Sequence, residues 1–556
     1  MAALAFGEGM KRAKTSLTRQ KHRFVGPLVI FVASAFAGLW VSYDRILSLP
    51  ALLTVLGSVG IFLLITNLPT RYQQASSALV LAAALLAVYF VGQYDHLDYQ
   101  NETGLLANLG RWTSAFMPAL VFFKPHPNAV ATFLEGAFLL NIALILRARP
   151  NRRWLWGATA AITAYALLIT GSRGAWLGLA MALSAWLALR SPKRAKPIVG
   201  MGAGLAIGFL AAGYLVLLTL PGQNIFILSS ILNTAQSRLA LYYNSLYLLK
   251  DYPFTGIGLG DTFALVYSRY QLLMDVPFLY YAHNLFLAVW LGQGILGLAA
   301  LVWLLIAFYR LVFRVERAGL PEKPLLFFRA AWLGASATFI HGLLDSAQFS
   351  GDRWTMPMLF ALLGISVASG SPALTGRRRK TRRRLKSGRL LLAAAGLLGA
   401  AALFWWGLSG GWQANMGAVR QTRADLSPTY SNSEREAERS LAAASFERAL
   451  SANPKQATAN RRLGIMALED HQFDSAISYL ERAYTQEPHN QAALKALGYA
   501  YVWAGRLDRA ELLFKQIDFQ RRLIDELHYW RWWWGTQERQ DLSSYANEML
   551  QRLSGN

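Results

Sequence analysis

The feature that most constrains this chain is a succession of apolar runs, each near the length of a bilayer crossing, that fills residues 24–409. About 20 predominantly apolar residues span the hydrocarbon core as a helix, where every backbone group must be satisfied internally. The runs lie at 24–42, 50–67, 76–92, 127–146, 154–170, 174–190, 197–220, 283–309, 327–345, 354–370 and 389–409, eleven candidate spans. Composition agrees: 54% of residues are hydrophobic and only 15% charged, against about 25% charged in soluble domains. The first run follows a basic stretch (Lys11, Arg12, Lys14, Arg19, Lys21, Arg23) as in a signal peptide. It is long enough to span, and further runs follow at once, so an uncleaved first helix is expected. With no cysteine, disulfide frameworks, thiolate metal sites and a cysteine nucleophile are excluded.

A net charge of +24 raises the question of nucleic acid, and its distribution answers it. With eleven spans counted, Arg71, the 147–153 arginines, the 190–196 cluster, Arg310, Arg314, Arg317 and the 377–389 run all share the side of the basic N-terminus. The other side receives Asp95, Asp98 and Glu102, the Ser172–Arg173 turn and the long 221–282 loop. Lys/Arg excess marks the cytoplasm, so the N-terminus is expected inside and the C-terminal region outside. The basic clusters alternate with spans and form no single stripe, which argues against nucleic acid. Residues 105–123 are also apolar, and one extra crossing there would invert every later loop. A re-entrant, interfacial or doubly crossing element is expected instead.

After Trp412 the pattern becomes that of soluble amphipathic helices with a 34-residue period. Pro454 and Pro488, Leu463 and Leu497, Gly464 and Gly498, Asp474 and Asp508, and Ala476 and Ala510 all keep this spacing, as do Glu447 and Glu481 and Ala449 and Ala483. Such a helix–turn–helix period resembles the tetratricopeptide repeat. Two repeats are expected in 455–522, with helix 433–452 as the second half of a degenerate one. The tail 523–556 is expected to cap the array and bury Trp530, Trp532, Trp533 and Trp534; a sugar-stacking or bilayer-touching surface is the other reading. A solenoid with its own core predicts that truncation after about residue 412 leaves the membrane core folded.

Ionisable residues at a membrane edge are functional candidates. Arg173 sits in Thr170-Gly-Ser-Arg-Gly-Ala-Trp176, a turn between two apolar helices. Arg238 lies in Gln236-Ser-Arg-Leu-Ala-Leu-Tyr-Tyr243, at the start of an apparent amphipathic helix. His283 opens a span in Tyr280-Tyr-Ala-His-Asn-Leu-Phe286. Between the last two, Pro253-Phe-Thr-Gly-Ile-Gly-Leu-Gly260 is a turn that bends the backbone back towards the membrane. Each residue alone has a bland reading: a snorkelling arginine, a lipid-phosphate contact, a satisfied interfacial histidine. Their common side favours a shared role. His341 and Asp345, four apart in the 327–345 run, are expected on one helix face, where a structural polar contact is the plainer reading; His126-Pro-Asn128 begins a span and is expected to help form the lipid entry or the re-entrant turn, and Glu135 is an unpaired acid within that span.

The order Ser-Arg-Gly-Ala-Trp, then an arginine with a following helix, then Asp251-Tyr-Pro-Phe-Thr-Gly-Ile-Gly-Leu-Gly, His-Asn and Gly294-Ile-Leu-Gly297 resembles the O-antigen ligase/polymerase superfamily over about residues 100–370. Those are polytopic bacterial membrane glycosyltransferases, many of which move a glycan from an undecaprenyl pyrophosphate carrier. Two positions depart from the family pattern: Tyr242 where tryptophan is common four residues after the loop arginine, and Gln293 where an acid often precedes the final glycines.

Hydropathy, loop charge, the 34-residue period and the resemblance together lead us to expect an all-α chain: a basic cytoplasmic N-terminus (1–23), a polytopic bundle of about 11–12 spans (24–410) with outer loop 221–282, and an extracytoplasmic tetratricopeptide-like domain (411–556); the resemblance adds a bacterial inner membrane. It implies a polyprenyl-pyrophosphate-linked glycan donor and a glycan, lipid or protein acceptor, with a protein partner for the repeats. Arg173 and Arg238, with Ser172 and Asn284, would bind the donor, because the guanidinium fork grips phosphate oxygens and stays charged. His283 would accept the acceptor proton, since its ordinary pKa lies near neutrality, or else orient a phosphate. By resemblance the transfer inverts the anomeric centre in one displacement. The outer loop has no DxD-like acidic pair, so a metal-independent reaction without cofactor is expected. A repeat-unit polymerase and a protein O-oligosaccharyltransferase are alternatives within the class. A lipid-linked glycan transporter would want its charges along the span interior, and a membrane-anchored scaffold would leave the Arg/Arg/His set without a purpose.

Overall fold

The computed structural model describes residues 23–97, 104–190, 226–277, 279–318, 320–351, 353–371, 409–517 and 520–554, and all regular structure among them is helical. The expected span 197–220, nearly all of 389–409, and the whole arginine run at 377–389 lie outside the described residues. The membrane part contains α1 (Arg23–Val41), α2 (Arg45–Asn67), α3 (Tyr72–Gln93), α4 (Leu105–Ser114), α5 (Pro127–Arg147), α6 (Pro150–Ile169), α7 (Arg173–Arg190), α8 (Phe226–Asp251), the single turn α9 (Phe263–Tyr267), α10 (Leu285–Ala318), α11 (Glu322–His341) and α12 (Met356–Gly370). Among the described residues, five helical stretches are long and apolar enough to cross a membrane: Arg23–Val41, Arg45–Asn67, Pro69–Leu97, Pro127–Arg147 and Leu285–Ala318. The expected spans 154–170, 174–190 and 354–370 are also helical, and so is 327–345 as far as His341. The chain is a multi-pass membrane protein.

Local chemistry sets the helix starts. Asp44 caps α2 by accepting from Ile46 N and Leu47 N, and Pro127 occupies the first turn of α5, where its missing N–H costs nothing. Every residue of α12 except Pro357 is buried, as expected of a helix that is apolar all round and central to a bundle. α11 lies beside it. Small residues let neighbouring backbones approach: a Cβ on Gly178 would stand 2.6 Å from the carbonyl oxygen of Ala337.

Residues 105–123 make no spanning helix. α4 has ten residues, about 15 Å at 1.5 Å per residue, roughly half a hydrocarbon core. The chain then folds back along the end of α3. Gln93 Nε2 donates to Pro118 O at 3.0 Å, Leu120 N donates to Gln93 Oε1 at 2.7 Å, and the rings of Tyr89 and Phe123 stack at 5.0 Å. This is the fold-back expected of a re-entrant or interfacial element.

α10 contains a break that another segment repairs. Gly294 has φ 68°, so the Leu291 carbonyl and the Ile295 N–H lose each other. Ile257 N donates to Leu291 O at 2.6 Å, and Ile295 N donates to Pro253 O at 3.1 Å. The glycine-rich turn thus supplies both missing partners, as the rarity of orphaned buried backbone groups requires. Only glycine fits at the contact, because a Cβ on Gly294 would lie 2.0 Å from Phe254 O.

The C-terminal part comprises α13 (409–426), α14 (Asn432–Ala452), α15 (Ala457–Glu469), α16 (Phe473–Gln486), α17 (Gln491–Trp503), α18 (Leu507–Phe514), α19 (Gln520–Thr536) and α20 (Gln540–Ser554). Ser431 and Glu434 form a capping box on α14. Phe446, Leu480 and Phe514, each 34 apart, meet Gly417, Gly464 and Gly498 at successive helix crossings. α13 is therefore the first helix of the degenerate repeat. α19 and α20 close the array, with Trp534 buried and Trp530 and Trp533 partly so. Trp532 stays 60% exposed, which departs from the expectation that all four tryptophans are buried.

The repeats do not stand apart from the membrane part. One apolar core belongs to the repeats and cap, but a second joins Leu248, Tyr252, Tyr267 and Leu291 to Ala418, Phe446 and Met466. At its centre the fully buried Asp251 carboxylate accepts from Arg461 Nη2, from Arg462 Nε (3.0 Å) and Nη2 (2.7 Å), and from Thr458 Oγ1 (2.8 Å). The expectation that the membrane core folds independently of the repeats omitted this shared core.

Candidate functional site

The site is built around the turn 342–345, which follows α11. Three consecutive carbonyls of that turn are engaged from two sides. Leu285 N donates to Gly342 O at 2.6 Å, Asn284 Nδ2 to Leu343 O at 3.0 Å, and Arg238 Nη1 to Leu344 O at 2.6 Å. Arg238 lies midway along α8, since that helix begins at Phe226, well before the start read from the sequence. Asn284 also caps α10, its Oδ1 accepting from Phe286 N (3.0 Å) and Leu287 N (3.1 Å). α10 consequently starts at Leu285, two residues after His283.

His283 adopts φ 48°, in the left-handed region that non-glycine residues seldom enter. Such a backbone costs about 1–3 kcal/mol and persists only where its surroundings over-determine it. Here the Tyr242 hydroxyl donates to the His283 carbonyl at 2.8 Å, while Asn284 is fixed by the helix it caps. The ring is 24% exposed, and its Nδ1 faces Asp345 Oδ1 at 3.6 Å, an ion-pair separation longer than a hydrogen bond. Asp345 is itself oriented by Asn128 Nδ2 (2.5 Å) and by the Ser346 N–H (2.6 Å).

A second polar cluster gathers on His341, the last residue of α11, just before the turn. His341 Nδ1 is 3.3 Å from both Glu135 Oε1 and Thr132 Oγ1, and its Nε2 is 3.4 Å from Ser172 Oγ. The Ser-Arg-Gly motif has a steric logic here: a Cβ on Gly174 would lie 2.4 Å from His341 Cδ2. Arg173, between them, is exposed at the start of α7.

The structure therefore brings Arg238, His283 and Asn284 onto one turn, with Ser172 against His341 just before it; Arg173 is exposed and is linked to this group through its neighbour Ser172. Two expectations are corrected. Glu135 is paired, with His341. His341 and Asp345 are not on one helix face, because α11 ends at His341. Asp345 is aimed at His283, a partnership that the sequence reading missed along with Asn128. The two departures from the family pattern acquire local roles: Tyr242 holds the His283 backbone, and buried Gln293 accepts from Ser34 Oγ at 2.7 Å.

Fold and site together define a polytopic helical membrane protein with polar groups gathered at the helix ends and a helical repeat docked on the adjoining loop. Residues 158–302 match the family described as O-antigen ligase, and residues 467–529 match the tetratricopeptide repeat. The chain carries an O-antigen ligase domain followed by a C-terminal tetratricopeptide repeat. At the family level this means O-antigen ligase/polymerase-type glycan transfer by a glycosyltransferase-type enzyme with lipid-linked glycan substrates, and repeats suited to protein interactions. No curated protein matches the chain.

Proposed function

We propose that the chain transfers a glycan from a polyprenyl-pyrophosphate carrier to an acceptor hydroxyl in a single metal-independent displacement. The observation that carries this reading is His283, with a left-handed backbone and Nδ1 towards Asp345, on the same turn as the Arg238 guanidinium. A carboxylate on Nδ1 favours the tautomer that keeps its proton there and leaves Nε2 as the base. The acceptor O–H gives its proton to Nε2 as the oxygen bonds to the anomeric carbon. The bond from that carbon to the phosphate oxygen breaks, and its electron pair leaves with the polyprenyl diphosphate. Arg238 and Arg173 offset the developing charge, with Ser172 and Asn284 as neighbouring donors.

In this reading the chain divides into a basic N-terminus (1–23), a membrane core (24–410) and a repeat domain (411–556). The N-terminus lies in the cytoplasm of a bacterium, and the site and repeats lie outside. The test is transfer by purified protein from a defined lipid-linked donor to candidate acceptors. Turnover is expected to persist in excess chelator and to fall by about 100-fold or more in His283→Gln. Loss of turnover on chelation with recovery on adding magnesium or manganese would refute metal independence, and full activity in His283→Gln would refute the base.

A further inference from the structure

Away from His283, a cavity of about 500 Å³ opens between the outer segment that includes α9 and the start of the repeats. That is within the range of roughly 300–1,000 Å³ usual for small-molecule sites. Its charged walls are Arg269 and Asp275 from the outer segment and Asp425, Arg435, Glu436 and Arg439 from the repeat side. The cavity exists only where the two parts meet.

The walls are tied in place without a ligand. Arg269 bridges Asp275 at 2.8 Å and Glu469 at 2.5 Å, and Arg439 bridges Glu469 at 3.1 Å and Asp470 at 3.0 Å. Arg435 donates to the carbonyls of Ala424 (2.7 Å) and Tyr430 (3.3 Å), and Asp425 accepts from the Tyr270 hydroxyl at 2.8 Å. Fixed polar groups lower the ordering cost of binding.

The lining balances three guanidiniums against three carboxylates, so it provides no net field for a diphosphate or another polyanion. What it does provide is acceptors beside donors. A carboxylate offers about four lone-pair sites, and only part of that capacity is used at Asp275, whose side chain is 85% exposed. A sugar hydroxyl matches such a pair, donating its proton to a carboxylate and accepting from a guanidinium. Leu265, Met274 and Leu426 add apolar surface for the C–H faces of a ring.

We propose that this cavity binds neutral, hydroxyl-rich sugar residues of a glycan chain, and that docking of the repeats onto the outer segment builds it. The proposal rests on the transfer reading for its biological use, since an enzyme joining two glycans has to hold sugars beyond the reacting pair. Residue 275 is eight positions before His283, so the same segment leads from the cavity to the base.

The test is calorimetric titration of the full-length protein in nanodiscs with two probes: the neutral oligosaccharide freed from the lipid-linked donor by mild acid, and the delipidated envelope glycan of the expressing cell. One of them should bind, and Glu436→Gln and Asp275→Asn should each raise its Kd about tenfold while the Kd of polyprenyl diphosphate alone stays unchanged. Which probe binds tells whether the sugars belong to donor or acceptor. If neither binds, if both variants bind as wild type does, or if polyprenyl diphosphate displaces the glycan, the proposal is overturned. Glycan binding that depends on Glu436 and Asp275, in a protein that never transfers, would keep the subsite and remove the transfer reading.

Discussion

Replacing Asp251 with asparagine keeps the shape of the side chain and removes the charge that two buried arginines share. Arg461 and Arg462 are 1% and 0% exposed in their side chains, and Asp251 is 0% exposed. After the change Arg461 keeps Glu487 (3.1 Å). Arg462 keeps the Tyr252 hydroxyl (2.9 Å), a long contact to Gln421 (3.4 Å) and the faces of Tyr270 (3.5 Å to the centroid) and Tyr252 (5.5 Å). Breaking a buried pair by removing one partner costs about 3–5 kcal/mol, because the remaining charge stays desolvated. At about 1.4 kcal/mol per factor of ten, opening of the seam should become roughly 100- to 4,000-fold more frequent. Hydrogen exchange on the full-length protein reads this directly: amides of 251–257 and 457–469 should lose that much protection, while those of 507–514 should not. The triple variant Asp251→Leu, Arg461→Met, Arg462→Met should recover most of it, since apolar replacement of a whole buried cluster is often neutral. Wild-type exchange in Asp251→Asn, or a triple variant worse than the single, would refute the reasoning. Burial pushes the Asp251 carboxyl up, but the two guanidiniums outweigh it and hold it below its ordinary value. Its contribution is therefore complete above the unfolded value of about 3.9 and is lost as pH falls through the lower folded value. Protection at the seam should hold at pH 5 and decay only below about pH 4.

Gly294→Ala should destabilise the protein by about 3 kcal/mol or more, seen as a lower thermal midpoint in detergent, because its Cβ would collide with Phe254 O at a positive φ. Arg173→Lys and Arg238→Lys keep the charge and lose the fork, so turnover should fall by about 100- to 1,000-fold with thermal stability retained; near-wild-type rates would reduce both to lipid-anchoring residues. With no cysteine in the parent, single cysteines at 380 and 430 report topology: 430 should label from outside in intact cells and 380 only after permeabilisation. Labelling of 380 from outside would remove the proposed orientation and the outer location of the site.

The spans and repeats were legible because burial imprints a length and a period on the sequence. α13 was hidden from that reading: Gly417 precedes Gly464 by 47 positions where the repeat asks for 34, so the period skips it even though its glycine meets Phe446 as the others meet Leu480 and Phe514. Arg238, His283 and Asn284 were legible through ordered motifs. The groups that orient them were not. Asp345 comes 62 positions after His283, and Asn128 is 217 positions from the Asp345 it holds, so no local spacing joins them. Arg461 and Arg462 sit in a repeat helix where paired basic residues usually mark a solvated face, and only the docked end of α8 with Asp251 makes them interior.

The seam has a consequence for the site through rigid elements. Arg238 and Asp251 lie on the same helix, α8, thirteen residues or about 20 Å apart. His283 lies two residues before α10, whose broken turn at Gly294 is completed by the segment that follows Asp251. That segment is gripped in turn by the repeat side, where Asn415 Oδ1 accepts from Phe254 N at 3.1 Å and its Nδ2 donates to Thr255 Oγ1 at 2.8 Å. The helix bearing the guanidinium and the helix following the imidazole are thus joined at one point, and the repeat region holds that point. Loss of everything after residue 412 would leave Asp251 without Arg461, Arg462 or Thr458, and the 253–257 turn without Asn415. The repeats are accordingly part of what fixes Arg238 relative to His283, whatever protein they also recruit.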